Sequence, residues 1–152
     1  MDFTRGDDFA ISTDSERLDI DVIHAFLVRS YWASQIPREI VERSIAHSLC
    51  FGVYHLIAEG EVEQVGFARV ISDYATFAYL ADVFILENFR GSGLSKWLIE
   101  CVRSHPDLQG LRRWLLATKD AHALYKQFGF HELAAPERWL EIARPSGYSL
   151  TV

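Results

Sequence analysis

The sequence predicts a mixed α/β fold with one central sheet and flanking helices. Three observations carry that expectation. Strand-like apolar runs flank short turns in the middle of the chain. Other stretches repeat apolar residues at helical spacing. The two kinds of segment interleave from one end to the other. The 152 residues match one ordinary domain. They hold no internal repeat, low-complexity tract or long Pro/Gly linker, so a single domain over residues 1–152 is expected.

Phe9–Ser12 reads as a first strand, closed by the polar Thr13-Asp14-Ser15-Glu16. Asp19 suits the N-cap of a helix carrying Val22, Ile23, Phe26 and Leu27 on one face. Pro37 suits the first turn of a second helix with the stripe Ile40, Val41, Ile45 and Leu49. Between them lies the aromatic connection around Tyr31 and Trp32. Cys50–Ala58 and Val62–Ile71 flank Glu59-Gly60-Glu61, a hairpin signal. After the turn Ser72-Asp73-Tyr74, Ala75–Leu86 is almost continuously apolar, as a strand buried on both faces would be.

Further on, Leu94, Trp97, Leu98, Cys101 and Val102 follow the i, i+3, i+4, i+7, i+8 pattern of an amphipathic helix ending near His105-Pro106. Trp114–Thr118 reads as a strand. Asp120 can cap a short helix with Ala121, Leu124, Tyr125 and Phe128, stopped by Gly129. Phe130–Leu133 and Trp139–Ala143 read as closing strands, and Pro136 and Pro145 punctuate them.

Composition narrows the function classes. Hydrophobic residues make up 49% and charged residues 24%, which excludes a disordered chain. A net charge of -6 argues against nucleic acid or an anionic membrane as partner. No apolar run reaches the ~20 residues of a membrane span, and the N-terminus lacks a signal-peptide layout. Cys50 and Cys101 lie in apolar segments, too few for a disulfide scaffold or zinc site. A cytoplasmic setting is therefore expected. The six histidines show no metal-ligand spacing, so no metal is expected.

The stretch richest in chemistry is Arg90-Gly91-Ser92-Gly93-Leu94-Ser95-Lys96, between a strand and a helix. Glycines let backbone N–H groups approach a ligand, and a helix start adds unpaired N–H groups and a positive dipole end. Phosphate oxygens suit such a place, although a tight strand-to-helix turn would use the same residues. The position three residues after Gly93 is Lys96, not the Gly or Ala of a dinucleotide fingerprint, and the Walker spacing is absent.

Arg90-Gly91-Ser92-Gly93-Leu94-Ser95 resembles the Arg/Gln-x-x-Gly-x-Gly/Ala pyrophosphate loop of the GNAT superfamily of N-acetyltransferases. Leu80–Glu87 looks like that family's fourth strand. Ala121-His122-Ala123-Leu124-Tyr125-Lys126-Gln127-Phe128-Gly129-Phe130 is similar to its Ala-x-x-Leu-Tyr-x-x-x-Gly-Phe motif. The element order also matches, so the resemblance covers essentially the whole chain. Ser95 replaces the usual last Gly or Ala, and Thr118 stands where the family often has Asn.

The resemblance implies the acyl-CoA N-acyltransferase fold, with its mostly antiparallel mixed sheet. It implies acetyl transfer from acetyl-CoA to a small-molecule or peptide amine by direct attack in a ternary complex. Backbone N–H groups of the Arg90–Lys96 segment would hold the pyrophosphate. Val83, Phe84 and Ile85 would pair with the pantetheine arm like an added strand, and an N–H near Val83 could stabilise the oxyanion. Tyr125 would be the general acid, since an unperturbed Tyr is protonated at neutral pH. Asp82, the one acid in Ala75–Leu86, is either the general base or a structural carboxylate bonded to an Arg such as Arg69; a relayed water is the other route for the proton. Tyr31, Trp32 and Tyr74 are the expected acceptor-lining residues. A non-catalytic acyl-CoA binding or sensing module is the alternative reading. Relatives often pair, which leaves a homodimer open without identifying an interface.

Overall fold

The computed structural model describes residues 1–58, 60–144 and 147–148; Glu59 of the expected hairpin turn and Pro145 lie outside them. Among the described residues, six strands form one sheet: β1 (Asp2–Arg5), β2 (Phe9–Ser12), β3 (Leu49–Ala58), β4 (Glu61–Ser72), β5 (Phe77–Ile85) and β6 (Arg113–Leu116). Their order in space is their order in the chain. Each pair is antiparallel except β5 with β6, which is parallel. The expected mixed, mostly antiparallel sheet is therefore present. β1 is an addition, lying in a segment whose charges gave no strand signal.

Among the described residues, four α-helices cover the two faces: α1 (Ile20–Leu27), α2 (Arg38–Ala46), α3 (Leu94–Ser104) and α4 (His122–Lys126). Asp19 caps α1 as expected, accepting from Val22 N at 3.1 Å. Ile23, Leu27 and Val41 of α1 and α2 share one buried cluster with Cys50, Phe67 and Phe84. Leu94, Leu98, Ile99 and Val102 of α3 share the other with Phe51, Ala68, Leu80 and Ile85. Neighbouring strand residues such as Cys50 and Phe51 enter opposite clusters, as the two-residue period requires.

β5 breaks that period once. Phe67 faces Phe84 and Arg69 faces Ala81, so Ala68 alone opposes both Asp82 and Val83. The extra residue is a β-bulge, with Asp82 at φ 54. It switches the side on which following residues lie. Leu80 faces the α3 cluster, but Phe84, four residues on, faces the α1 and α2 cluster and stacks on Phe26 at 3.9 Å between centroids.

Four expectations fail. Leu49, expected on the stripe of the second helix, instead opens β3. Phe130–Leu133 and Trp139–Ala143 form no strand. Phe130 instead packs edge-on against Trp114 and Tyr125, and Leu140 and Ile142 are fully exposed. Asp120 does not cap α4: Ala121 is its N-cap, and Ala121 N donates to Thr118 Oγ1 at 3.2 Å. Among the described residues no helix is long and apolar enough to cross a membrane.

Candidate active site

β5 outruns its parallel neighbour. Their pairing ends at Leu80 with Leu116, while β5 continues to Ile85. Among the described residues, the edge of Ala81–Ile85 turned away from β4 pairs with no strand. Two cavities flank it. One of about 450 Å³ is lined by Val83, Asp82, Thr118 and Tyr125, among others. A second of about 300 Å³ is lined by Ile85, Leu124 and the loop Arg90–Lys96 without Ser92. Val83 and Ile85 on one wall, and Tyr125 and Leu124 on the other, set the two cavities in series along one groove.

The loop at the second cavity is shaped by its glycines. Gly91 at φ 87 and Gly93 at φ 79 lie in the left-handed region that side chains disfavour. Gly93 is also the N-cap of α3, with no side chain closing the helix end. Among the described residues, no backbone N–H from Gly91 to Lys96 donates a hydrogen bond. Arg90 Nε donates to Ile85 O at 3.0 Å and braces the loop against β5. A further cation arrives from the far edge of the sheet: both terminal nitrogens of Arg5 lie 3.5 Å from where a Cβ on Gly93 would stand. Neither the spacing of the sequence nor strand pairing links Arg5 to this loop, since β2, β3 and β4 lie between β1 and β5.

In the first cavity, Tyr125 is buried, and burial pushes its hydroxyl up to about 12, with Tyr31 and Asp120 adding to the rise. That hydroxyl makes no hydrogen bond with the described residues. Asp82 has both oxygens engaged: Arg69 Nε donates to one at 2.8 Å and Trp32 Nε1 to the other at 2.9 Å. Arg69 Nη1 also donates to Ser48 Oγ at 3.2 Å. Asp82 is thus bonded to Arg69, as one of the two readings of the sequence expects, with Trp32 as a second donor.

Tyr31 and Trp32 both line the cavity. Tyr31 Oη accepts from Lys119 N at 2.9 Å, and Lys119 Nζ sits 5.7 Å from the ring centroid. Tyr74 does not join them. It occupies the β4–β5 turn at φ 59, half exposed, outside the residues lining either cavity. Phe84 contributes its backbone to the free edge, while its ring belongs to the core. Sequence reasoning missed Tyr79, Lys119 and Tyr148 as lining residues. Tyr79 was hidden inside a uniformly apolar run, and the other two lie in segments without periodicity. Among the described residues no cluster of His, Cys, Asp and Glu could hold a metal ion.

Comparisons with known proteins fit this arrangement. The family model described as an acetyltransferase (GNAT) domain matches residues 52–132. A curated protein of Gibberella zeae, named as a putative acetyltransferase, is 34% identical, covering 87% of this chain and 84% of its own length. A crystal structure from Xanthomonas campestris, named as a putative acetyltransferase of the GNAT family, is 52% identical with a TM-score of 0.85, covering 93% of this chain and 96% of that one. A predicted acetyltransferase from Clostridium acetobutylicum, solved with acetyl-CoA, shares the fold at 12% identity and a TM-score of 0.61, covering 94% and 96% of the two chains.

Proposed function

The chain belongs to the GNAT acetyltransferase family, and from that premise we propose that it passes the acetyl group of acetyl-CoA to a small-molecule or peptide amine by direct attack in a ternary complex. The observation that carries this reading is the free edge of Ala81–Ile85, facing Tyr125 at one end and the unpaired N–H groups of Gly91–Lys96 at the other. An extended, amide-bearing pantetheine arm fits such an edge as an added strand would. The N–H groups and the start of α3 suit the pyrophosphate that follows the arm, with Arg5 and Lys96 supplying positive charge.

The roles follow from geometry and proton affinity. Val83, next to the bulge, offers its N–H to the thioester oxygen, where negative charge develops. The amine approaches past Tyr31 and Trp32 and attacks the carbonyl carbon, and the C–S bond then breaks. Tyr125, whose raised proton affinity keeps it protonated at neutral pH, donates to the departing thiolate. Asp82, with both oxygens already accepting, fixes the wall of the site, and the amine proton leaves through water. The two buried thiols, Cys50 and Cys101, suit a cytoplasmic setting.

Acetyl-CoA should raise the melting temperature, because it binds only the folded state. Tyr125→Phe should keep that shift and lower thiol release, measured with a broad amine panel, by about 100-fold. No melting shift at saturating acetyl-CoA would sink the cofactor assignment. Unchanged turnover in Tyr125→Phe would sink the acid role.

A further inference from the structure

We infer that the acceptor is an amine carrying a carboxylate, the class of the free amino acids, and that Lys119 binds that carboxylate. The inference rests on the acetyl-transfer reading for which end of the groove receives the acceptor. The larger cavity holds the charged side chains Arg69, Asp82 and Lys119. Asp82 and Arg69 pair with each other, so their charges match. Lys119 makes no ion pair among the described residues. Asp120, the next residue, is exposed and lies outside the lining. The cavity therefore carries one unmatched positive charge, although the whole chain has a net charge of -6. One unmatched cation suits one monoanionic group.

Lys119 is held in place for this role. Its backbone N–H donates to Tyr31 Oη at 2.9 Å, and its ammonium lies 5.7 Å from the Tyr31 ring centroid. That ring meets Trp32 edge-on at 5.1 Å. An aromatic face attracts a cation at this range, yet leaves its three N–H donors free for a ligand. The other polar side chains of the cavity also have donors to spare. Arg69 spends Nε on Asp82 and Nη1 on Ser48, and its Nη2 has no partner among the described residues. Of the four lining tyrosines, Tyr31 alone has its hydroxyl engaged among the described residues. The lining carboxylate, Asp82, already accepts at both oxygens. Unused donors with no unmatched anion beside them fit a carboxylate, which only accepts.

The same charge bears on the amine. An ammonium group must shed its proton before it attacks, and a cation-lined cavity disfavours the ammonium form. A polyamine or an aminoglycoside, with several positive charges, would meet Lys119 with no free carboxylate to offset it. In an amino acid the carboxylate and the amine share one carbon, so anchoring the first orients the second for attack. Lys119 and Val83 line the same cavity, which puts the anchor and the thioester end of the groove together. Lys119 does not line the smaller cavity, so it stands apart from the loop assigned to the pyrophosphate.

Turnover and binding test this separately on the full chain. Thiol release from acetyl-CoA is measured with the common amino acids, each beside its amide and its decarboxylated amine. The best amino acid should exceed both counterparts by about tenfold in kcat/KM. Lys119→Gln should raise the KM for that amino acid about tenfold, leave the KM for acetyl-CoA unchanged and erase the preference, while Lys119→Arg should retain it. Lys119 is exposed and its backbone bond to Tyr31 survives either change, so both variants should fold. Melting curves without acetyl-CoA should show stabilisation by N-acetyl amino acids and none by N-acetyl amides, with the difference lost in Lys119→Gln. Amides, diamines or aminoglycosides that match the carboxylates, a preference that persists in Lys119→Gln, or no response to any carboxylate in either assay would each overturn the inference. Carboxylate-selective melting shifts without thiol release would uphold the carboxylate site and count against acetyl transfer instead.

Discussion

Arg5 is exposed, sits on an edge strand and makes no ion pair among the described residues. Arg17, Arg38, Arg43 and Arg69 are all tied to carboxylates. An arginine held open over a ring of unpaired N–H groups is available to phosphate, and a hydrogen bond to a charged group contributes roughly 1.5–3 kcal/mol. Arg5→Ala should therefore weaken acetyl-CoA binding about tenfold in a calorimetric titration, with the ligand-free melting temperature unchanged. An unaltered affinity would remove Arg5 from the site. Residues of the candidate site were legible to different degrees for physical reasons. Tyr125 and the two loop glycines stand in local patterns, because α4 and the loop each shape themselves from a few consecutive residues. Arg5, Lys119 and Tyr148 reach the site through tertiary folding, which leaves no spacing to read.

Elements were legible where one period ran unbroken. α3 kept its apolar stripe from Leu94 to Val102, and four of its five expected apolar residues are buried. β5 was legible as a strand but its bulge was not, because apolar residues on both sides of Asp82 conceal a change of face. The segment Trp139–Ala143 shows the converse: its pattern is that of a strand, while pairing depends on an edge the local sequence does not contain. Asp82 is the hinge of the β5 irregularity. It sits at positive φ, which Asp and Asn tolerate best after glycine. Its carboxylate joins Arg69 of β4 to Trp32 of the α1–α2 connection, with side-chain exposures of 15% for Arg69 and 10% for Asp82. Asp82→Asn keeps the backbone preference and one acceptor, whereas Asp82→Ala leaves Arg69 unpaired. Breaking a buried pair costs about 3–5 kcal/mol. Denaturant unfolding should show a loss of that order for Ala and a clearly smaller one for Asn. Acetyl transfer should survive largely in Asn. If Asn and Ala were equally inactive at equal folding, Asp82 would be the base after all.

At the scale of the molecule, the sheet lies between two helical layers, and several weak acids are sealed inside. Burial pushes Tyr54 and Tyr125 up to about 12, the Cys50 thiol up to about 12 and the Cys101 thiol up to about 11. Each folded-state value lies above the ordinary one, because burial disfavours the charged form. Their contribution to stability is full below the unfolded values, near pH 9 for the thiols and 10 for the tyrosines. It is lost as pH rises through the folded values. Thermal unfolding should accordingly show a plateau to about pH 9 and a steep fall towards pH 12. A thiol-reactive dye should leave both cysteines unlabelled until the chain unfolds. A flat melting temperature up to pH 12 would show that these groups titrate freely.

The sheet's order has one more consequence, for how the molecule is made. Strands lie side by side in the sequence in which they are synthesised, so no strand must wait for one made more than one place later. Each new strand emerges to find its neighbour already in place, and the sheet can grow from its first hairpin outward while synthesis continues. Long-range closures come later: Arg5 over a loop made 88 residues after it, and Tyr31 on Lys119, equally far apart in the chain.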